Sequence, residues 1–298
     1  MNLFCIVLTY SYLWLRRKYF RSIIKTKTCF CFVLFSLIRT FAPMKIEKIK
    51  VVAFDADDTL WDCQGHFERV MQRLYDELTP WVDRETAALE LFATERKNMA
   101  LLGYGVKAFS LSMIETALRV SHYEMPAQTV SEIQQLCYSL LTFPCTPLPE
   151  VEETLQVLKN LPPREEGPAL LTTCGREGGG FSLVVFTKGE LLDQEHKLER
   201  SGLAKYFDYV EITSDKGENE FRALCKKLNI APDELLMVGN SLKSDIAPAL
   251  AIGASAVYIP FHVTWELEQH DHFEHPHMVQ IEHFGELLDL FDPQILMP

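Results

Sequence analysis

The sequence predicts an α/β protein built on a parallel sheet, with a helical unit inserted after the first strand. Short apolar runs rich in β-branched residues alternate along the chain with helical segments, which is typical of a parallel sheet with right-handed crossovers. One long stretch, from about residue 64 to residue 141, has mostly helical spacing instead. The chain has 298 residues, 48% of them hydrophobic, and so contains ample material for a buried core.

The first predicted strand, residues 50–54, is an apolar run that ends at acidic residues. In the helical unit that follows, apolar residues recur at three- and four-residue spacing, and prolines and glycines divide the unit into four or five helices. A proline-rich joint at residues 144–149 ends it. We therefore expect a helical insert over residues 64–144, between two parts of a core formed by residues 44–63 and 145–298.

The remainder of the chain predicts the rest of the sheet and its crossover helices. Residues 162–180, rich in proline and glycine, are predicted to be an irregular connection. The predicted strands are residues 183–186, 209–212, 235–238 and 256–259, and the predicted helices are residues 151–161, 190–201, 218–228 and 244–251. In a parallel sheet the side chains that carry out chemistry lie at the carboxyl ends of the strands. The residues that follow each strand are therefore the candidates for function.

The charge distribution separates residues 1–43 from the rest of the chain. This segment holds seven basic and no acidic residues, which leaves 22 of the 29 basic residues against all 41 acidic ones in the remaining 255. So acidic a chain lacks the basic patches that bind phosphate backbones, and we expect no nucleic-acid partner. The eight cysteines are scattered and include no C-x-x-C pair, which favours free thiols in a reducing compartment.

The place of residues 1–43 has three interpretations. Its two apolar runs are each shorter than the roughly 20 residues that span a bilayer. Its positive charge follows the first apolar run, whereas a signal peptide carries that charge before it. We expect translation to start at Met44 and the protein to be cytoplasmic, without membrane association. The alternatives are a short membrane anchor and a cleaved targeting peptide.

Two carboxylates follow the first predicted strand, at Asp55 and Asp57. Because they are two residues apart just past a strand, they can converge on one cation and one substrate. One of them can attack as a nucleophile. The other can exchange a proton with the leaving group.

Other polar side chains follow the next strands. Thr187 ends the second strand and is placed to bind a phosphoryl oxygen, and Lys216 follows the third strand and could neutralise that oxygen or the nucleophile. Lys188 competes with Lys216 for this role. The fourth strand runs into Gly239, which permits a tight turn, and then into Asp245, which offers a further carboxylate oxygen. Such oxygen ligands are those that Mg²⁺ prefers.

In this order, the motifs resemble those of the haloacid dehalogenase-like (HAD) superfamily of hydrolases. That family has D-x-D-x-[TV], a Ser or Thr after the second strand, a distant Lys, and a final acidic motif. The resemblance covers about residues 46–262. It implies a Rossmann-like, doubly wound parallel sheet, with the insert forming the family's helical cap.

The resemblance also implies a role for each matched residue. Asp55 would be the nucleophile and an Mg²⁺ ligand. Asp57 would be the general acid and base, with its backbone carbonyl facing the metal. Asp245 would complete the metal site, and Thr187 and Lys216 would hold the transferring phosphoryl group.

We therefore expect an Mg²⁺-dependent hydrolase that acts on a small phosphorylated metabolite through an aspartyl-phosphate. Asn240 stands where the family usually has an acid, which loses one charge, and it and Lys188 are further candidate site residues. A phosphosugar mutase shares all four motifs. A 2-haloacid dehalogenase is disfavoured by Asp57 and Asp245. A non-catalytic interaction protein on the same scaffold is the alternative from another class.

Several other polar features are expected to be structural. Asp58 is predicted to face outward or to cap a helix. Lys97, Tyr104 and Lys107 lie around a glycine turn in the insert and are predicted to be a solvated helix end rather than substrate contacts. The six histidines within residues 262–283 are predicted to lie in a solvated loop rather than a metal site.

Overall fold

Six parallel strands form one sheet in the computed structural model, which describes residues 46–161, 181–263, 265–268 and 270–291. The order across the sheet is β3-β2-β1-β4-β5-β6. The strands are β1 (Val51–Phe54), β2 (Ser182–Lys188), β3 (Tyr209–Thr213), β4 (Leu235–Gly239), β5 (Ser255–Tyr258) and β6 (Met278–Gln280). The predicted α/β fold is confirmed. Five strands were predicted, and β6 was missed.

Strand β1 lies at the centre of the sheet, between β2 and β4. Val51 is paired with Ser182 on one side and with Leu235 on the other. All four residues of β1 are buried, which explains why the strand is a continuous apolar run without alternation. The chain adds strands to one side of β1 and then to the other, so the strand order reverses here. Ligands of such sheets bind at this reversal, outside the carboxyl ends of the strands.

Eight α-helices accompany the sheet in the described part of the chain. Four follow β1 and form the helical insert: α1 (Gln64–Leu78), α2 (Arg84–Leu102), α3 (Val106–Val120) and α4 (Ala127–Ser139). The other four belong to the crossovers: α5 (Val151–Asn160), α6 (Leu191–Ser201), α7 (Glu218–Leu228) and α8 (Ala247–Ala251). The segment predicted as one helix over residues 244–251 is instead a π-helical turn, Leu242–Ile246, followed by the short α8.

The helical insert has an apolar core of its own. Its buried side chains, among them Leu74, Leu91 and Met113, form a cluster separate from those that cover the sheet. The chain leaves and re-enters the sheet layer at adjacent points, because the Leu148 N–H donates a 2.9 Å hydrogen bond to the Leu60 carbonyl. Both observations support the predicted division into core and insert, whose boundaries remain a prediction.

Other sequence-based expectations concern the thiols, the membrane and the two long undescribed segments. Within the described ranges, Cys63, Cys137, Cys145 and Cys225 are buried free thiols. None of the helices described is long and apolar enough to cross a bilayer. The interpretations of residues 1–43 and of the connection at residues 162–180 lie outside the described residues.

Candidate active site

The carboxyl edge of the sheet brings most of the predicted residues to one pocket. Asp55 follows β1 directly, Thr187 lies in the last turn of β2, and Asp245 lies in the π-helical turn after β4. All three line the pocket, as do Asp57 and Asn240. The rule that polar side chains gather at the ends of parallel strands thus locates the site from the sequence.

A buried ion-pair cluster occupies the floor of this site. The Lys216 ammonium, with no exposed side-chain surface, lies 2.6 Å from Asp55 Oδ1 and 2.6 Å from Asp245 Oδ1. Burial and the neighbouring Asp245 carboxylate raise the pKa of Asp55 to about 7, against the opposing effect of Lys216. One ammonium therefore balances only part of the negative charge of two carboxylates.

Gly239 allows Asp245 to approach the end of β4. A Cβ atom on Gly239 would lie 2.7 Å from the Cβ of Asp245, closer than real Cβ contacts allow. The Ser241 N–H donates a 2.9 Å hydrogen bond to Asp245 Oδ2 and fixes the carboxylate in this position. The glycine is therefore required by close approach of a side chain, in addition to its place in the predicted tight turn.

Asp57 has a different electrostatic environment from Asp55. The Lys197 ammonium lies 2.9 Å from Asp57 Oδ2, Gln194 Nε2 donates to the same oxygen at 2.8 Å, and Trp61 Nε1 donates to Oδ1 at 2.8 Å. Burial opposes the charged form of Asp57, but the Lys197 charge and these hydrogen bonds outweigh it and lower the pKa of Asp57. Sequence reasoning missed Lys197 and Gln194, which lie on α6.

The two residues after Asp57 organise the turn from β1 into the insert. Asp58 Oδ1 accepts hydrogen bonds of 2.8 Å from the backbone N–H groups of Cys63 and Gln64, so Asp58 caps α1, one of its two predicted roles. Thr59 Oγ1 lies 3.1 Å from Asn240 Oδ1 and accepts a 3.1 Å hydrogen bond from the Asn240 N–H. Asn240 thus links the loops that follow β1 and β4.

Lys188, the second candidate for phosphate binding, connects the core to the insert. Its ammonium forms an ion pair with Glu268 and a 2.7 Å hydrogen bond with Ser244 Oγ. It also lies 4.0 Å from the centre of the Tyr104 ring, a cation–π contact. The expectation that Tyr104 belongs to a solvated helix end is wrong, because this ring lines the pocket and also contacts Trp265 edge-on.

The two lysines near Tyr104 do not enter the pocket. Lys97 pairs with Glu115 on the surface of the insert. Lys107 forms a 2.9 Å ion pair with Glu190 at the start of α6, a second link between insert and core. Both lysines are well exposed, as predicted, and Lys107 additionally helps to position the insert.

The histidine-rich segment contributes to the site in an unexpected way. His270, His272, His275 and His277 are exposed, in agreement with a solvated loop. In the described ranges no three His, Cys, Asp or Glu side chains form a cluster that could hold a metal ion. Just before these histidines, however, Trp265 and Glu268 line the pocket. No sequence motif marks these two residues.

The pocket extends from the aspartates of the core to the helices of the insert. Its empty space is about 1190 Å³, counting the part open to solvent, which is far more than a phosphate group needs. On the insert side, Phe67, Met71 and Phe109 provide an apolar wall. The pocket therefore has one end suited to a charged group and a second region suited to a larger organic group.

A parallel sheet with buried carboxylates in a pocket at the strand-order reversal is typical of α/β enzymes. A family model for haloacid dehalogenase-like hydrolases matches residues 49–253. Because this match spans more than half of the chain, the protein belongs to that family of hydrolases. The predicted membership is confirmed.

Relatives of this chain include phosphatases. It is 25% identical over 225 residues to the N-acylneuraminate-9-phosphatase of Homo sapiens, covering 72% of this chain and 83% of the human protein. It is 26% identical over 233 residues to the glyceraldehyde 3-phosphate phosphatase of Methanothermobacter thermautotrophicus, covering 76% and 91%. A solved haloacid dehalogenase-like hydrolase from Xanthomonas campestris superposes with a TM-score of 0.68 at 26% identity, covering 83% and 94%. The prediction of a phosphatase-type hydrolase is confirmed.

Proposed function

We propose that this protein hydrolyses small phosphate monoesters with the help of Mg²⁺, and that Asp55 is the nucleophile. The observation that carries the proposal is the cluster of Asp55, Asp245 and the buried Lys216 beside a pocket that also exposes Asp57 and Thr187. A carboxylate nucleophile, a proton-exchanging carboxylate and a fixed cation are the groups that phosphoryl transfer from an ester requires.

The residues fit a magnesium ion. Asp55 and Asp245 present carboxylate oxygens to the same point, which Lys216 contacts at 2.6 Å from each. Their mutual repulsion is one cause of the raised pKa of Asp55, and a divalent cation beside them would relieve it. These two side chains and the Asp57 carbonyl would hold the ion. When bound, Mg²⁺ supplies positive charge that stabilises the phosphoryl oxygens.

The chain's own residues would carry the remaining steps. Asp55 attacks phosphorus, the ester bond to the leaving oxygen breaks, and an aspartyl-phosphate forms. Asp57 gives a proton to the leaving oxygen and afterwards removes one from the water that hydrolyses the aspartyl-phosphate. Lys216 and the Thr187 hydroxyl hold the phosphoryl oxygens during both transfers.

Asp57 must gain a proton before it can act as an acid. Its ion pair with Lys197 disfavours this, because it lowers the pKa of Asp57. The negative charge of a bound phosphate group would raise that pKa again. Lys197 and Gln194 meanwhile hold the carboxyl in place.

The test is phosphate release from a panel of small phosphomonoesters in the presence of Mg²⁺. Asp55→Asn should abolish turnover, whereas Asp233→Asn, on the exposed turn before β4, should leave it unchanged. Turnover by Asp55→Asn at the wild-type rate would overturn the assignment. Product analysis with a sugar phosphate distinguishes hydrolysis, which releases phosphate, from transfer of the group within the sugar.

The metal has a test that does not depend on turnover. Millimolar Mg²⁺ should raise the Tm of the wild type, because a ligand that binds the native state stabilises it. Asp245→Asn should reduce this shift strongly, and Asp233→Asn should retain it. An equal shift in all three proteins would contradict the proposed metal site.

A further inference from the structure

Glu95 is a buried carboxyl in the pocket, on the side formed by the insert. It lies on α2, its exposed fraction is 8%, and it lines the same pocket as Asp55. In the described part of the chain, no hydrogen-bond or ion-pair partner is found for this carboxyl. Glutamate side chains are almost never buried to this extent unless they are paired.

The neighbours of Glu95 do not satisfy it. One turn further along α2, Asn98 uses its amide nitrogen to donate to Ser112 Oγ at 3.1 Å and to Glu115 Oε2 at 2.9 Å. The Ser112 hydroxyl in turn donates to the Ala108 carbonyl at 3.0 Å. Both Asn98 and Ser112 line the pocket, so the polar groups around Glu95 are committed to one another.

The apolar surroundings make this position costly for a charge. Phe67, Met71 and Phe109 line the same part of the pocket. Burial alone raises the pKa of Glu95 to about 7. A buried polar group without a partner destabilises the folded protein. Such groups cluster at sites where a ligand completes them.

We propose that Glu95 determines substrate specificity by binding a hydrogen-bond donor, a hydroxyl or an ammonium group, on the part of the substrate remote from the phosphate. This inference rests on the proposed function, because it assumes a phosphate ester held at Asp55. The apolar wall would contact the carbon skeleton between the two polar ends. An ester without a donor would leave the carboxyl unpaired, and the enzyme would discriminate against it.

The experiment compares phosphate esters that differ only at the remote end. Straight-chain alkyl phosphates are compared with their ω-hydroxy and ω-amino counterparts over a series of chain lengths. The measured quantity is the ratio of kcat/KM for the donor-bearing ester to kcat/KM for the plain ester. In the wild type we expect a preference on the order of 10-fold for at least one donor-bearing ester.

Three variants assign this preference. Glu95→Met should reduce the ratio to about one, because it keeps the side-chain length but removes both oxygens. Glu95→Gln separates the two donors, since an amide retains the hydroxyl preference and loses the ammonium preference. Glu85→Met, on the exposed face of α2, is the matched control and should retain the wild-type ratio.

Each outcome decides the matter. A wild type without preference, or a Glu95→Met ratio equal to that of the wild type, overturns the role of Glu95 while the phosphatase assignment stands. No turnover of any phosphate ester by the wild type overturns the proposed function and this inference with it. If Glu95→Met does not fold, the Glu95→Gln ratio for the amino esters decides, because loss of their preference supports the role and its retention overturns it.

Discussion

The burial of Glu95 predicts a pH-dependent loss of stability that Glu95→Met should remove. The pKa of this carboxyl is raised by burial from 4.5 to about 7 in the folded protein. Between these two values the folded state keeps its proton while the unfolded state loses it. Stability therefore falls as the pH rises through this window, and the loss is complete above the folded pKa.

The magnitude follows from the size of the shift. A change from 4.5 to about 7 corresponds to about 3 kcal/mol, of which about 2.5 kcal/mol falls between about pH 5 and about pH 8. Asp55 and Asp58 also have a pKa raised to about 7, but they are present in both proteins and cancel in the comparison. Tyr75, which interacts electrostatically with Glu95, has a pKa raised to about 12 and does not titrate in this range.

The assay is urea denaturation of the wild type and of Glu95→Met at both pH values, with a chelator present. The free energy of unfolding of the variant should exceed that of the wild type by about 2.5 kcal/mol more at about pH 8 than at about pH 5. Glu85→Met should show no such pH-dependent difference. A Glu95→Met difference that is the same at both pH values would refute the argument, because it would mean that the carboxyl ionises normally in the fold.

Three further substitutions test the ion pairs and the close contact of the site. Lys216→Met leaves two buried carboxylates facing each other, and we expect a loss of about 3–5 kcal/mol in urea denaturation. Gly239→Ala forces Asp245 out of position, so the stabilisation by Mg²⁺ and the turnover should both fall while the circular dichroism spectrum stays native. Lys197→Met removes the charge that lowers the pKa of Asp57, so its stability cost should be larger near pH 7 than near pH 4.

The strands of the sheet were predictable because they carry strong local signals. A strand that is buried on both faces, such as β1, is a continuous apolar run, and its neighbours have the same pattern. Strand β6 has only three residues and follows a segment rich in histidine and proline. Nothing in so short a run separates a strand from a loop, because its pairing with β5 is a long-range contact.

The catalytic candidates were predictable for the same reason, and their partners were not. Asp55 and Asp245 follow strands, and the ends of parallel strands meet at one edge. Lys197 and Glu95 lie within helices, where a charged residue is usually solvated. Their burial results from the packing of α6 against the turn after β1 and of α2 within the insert. Only tertiary contacts distinguish these two residues from the exposed charges around them.

Asp55 and Asp57 are two residues apart and have opposite pKa shifts, yet the direction is the reverse of what their proposed roles require. The nucleophile Asp55 must be ionised, but burial and Asp245 raise its pKa to about 7. The acid Asp57 must be protonated, but Lys197 lowers its pKa. A divalent cation beside Asp55 would lower the first pKa, and a phosphate dianion beside Asp57 would raise the second. The two ligands together would therefore restore the protonation states that the proposed chemistry needs, so attack by Asp55 is suppressed until both metal and ester are bound.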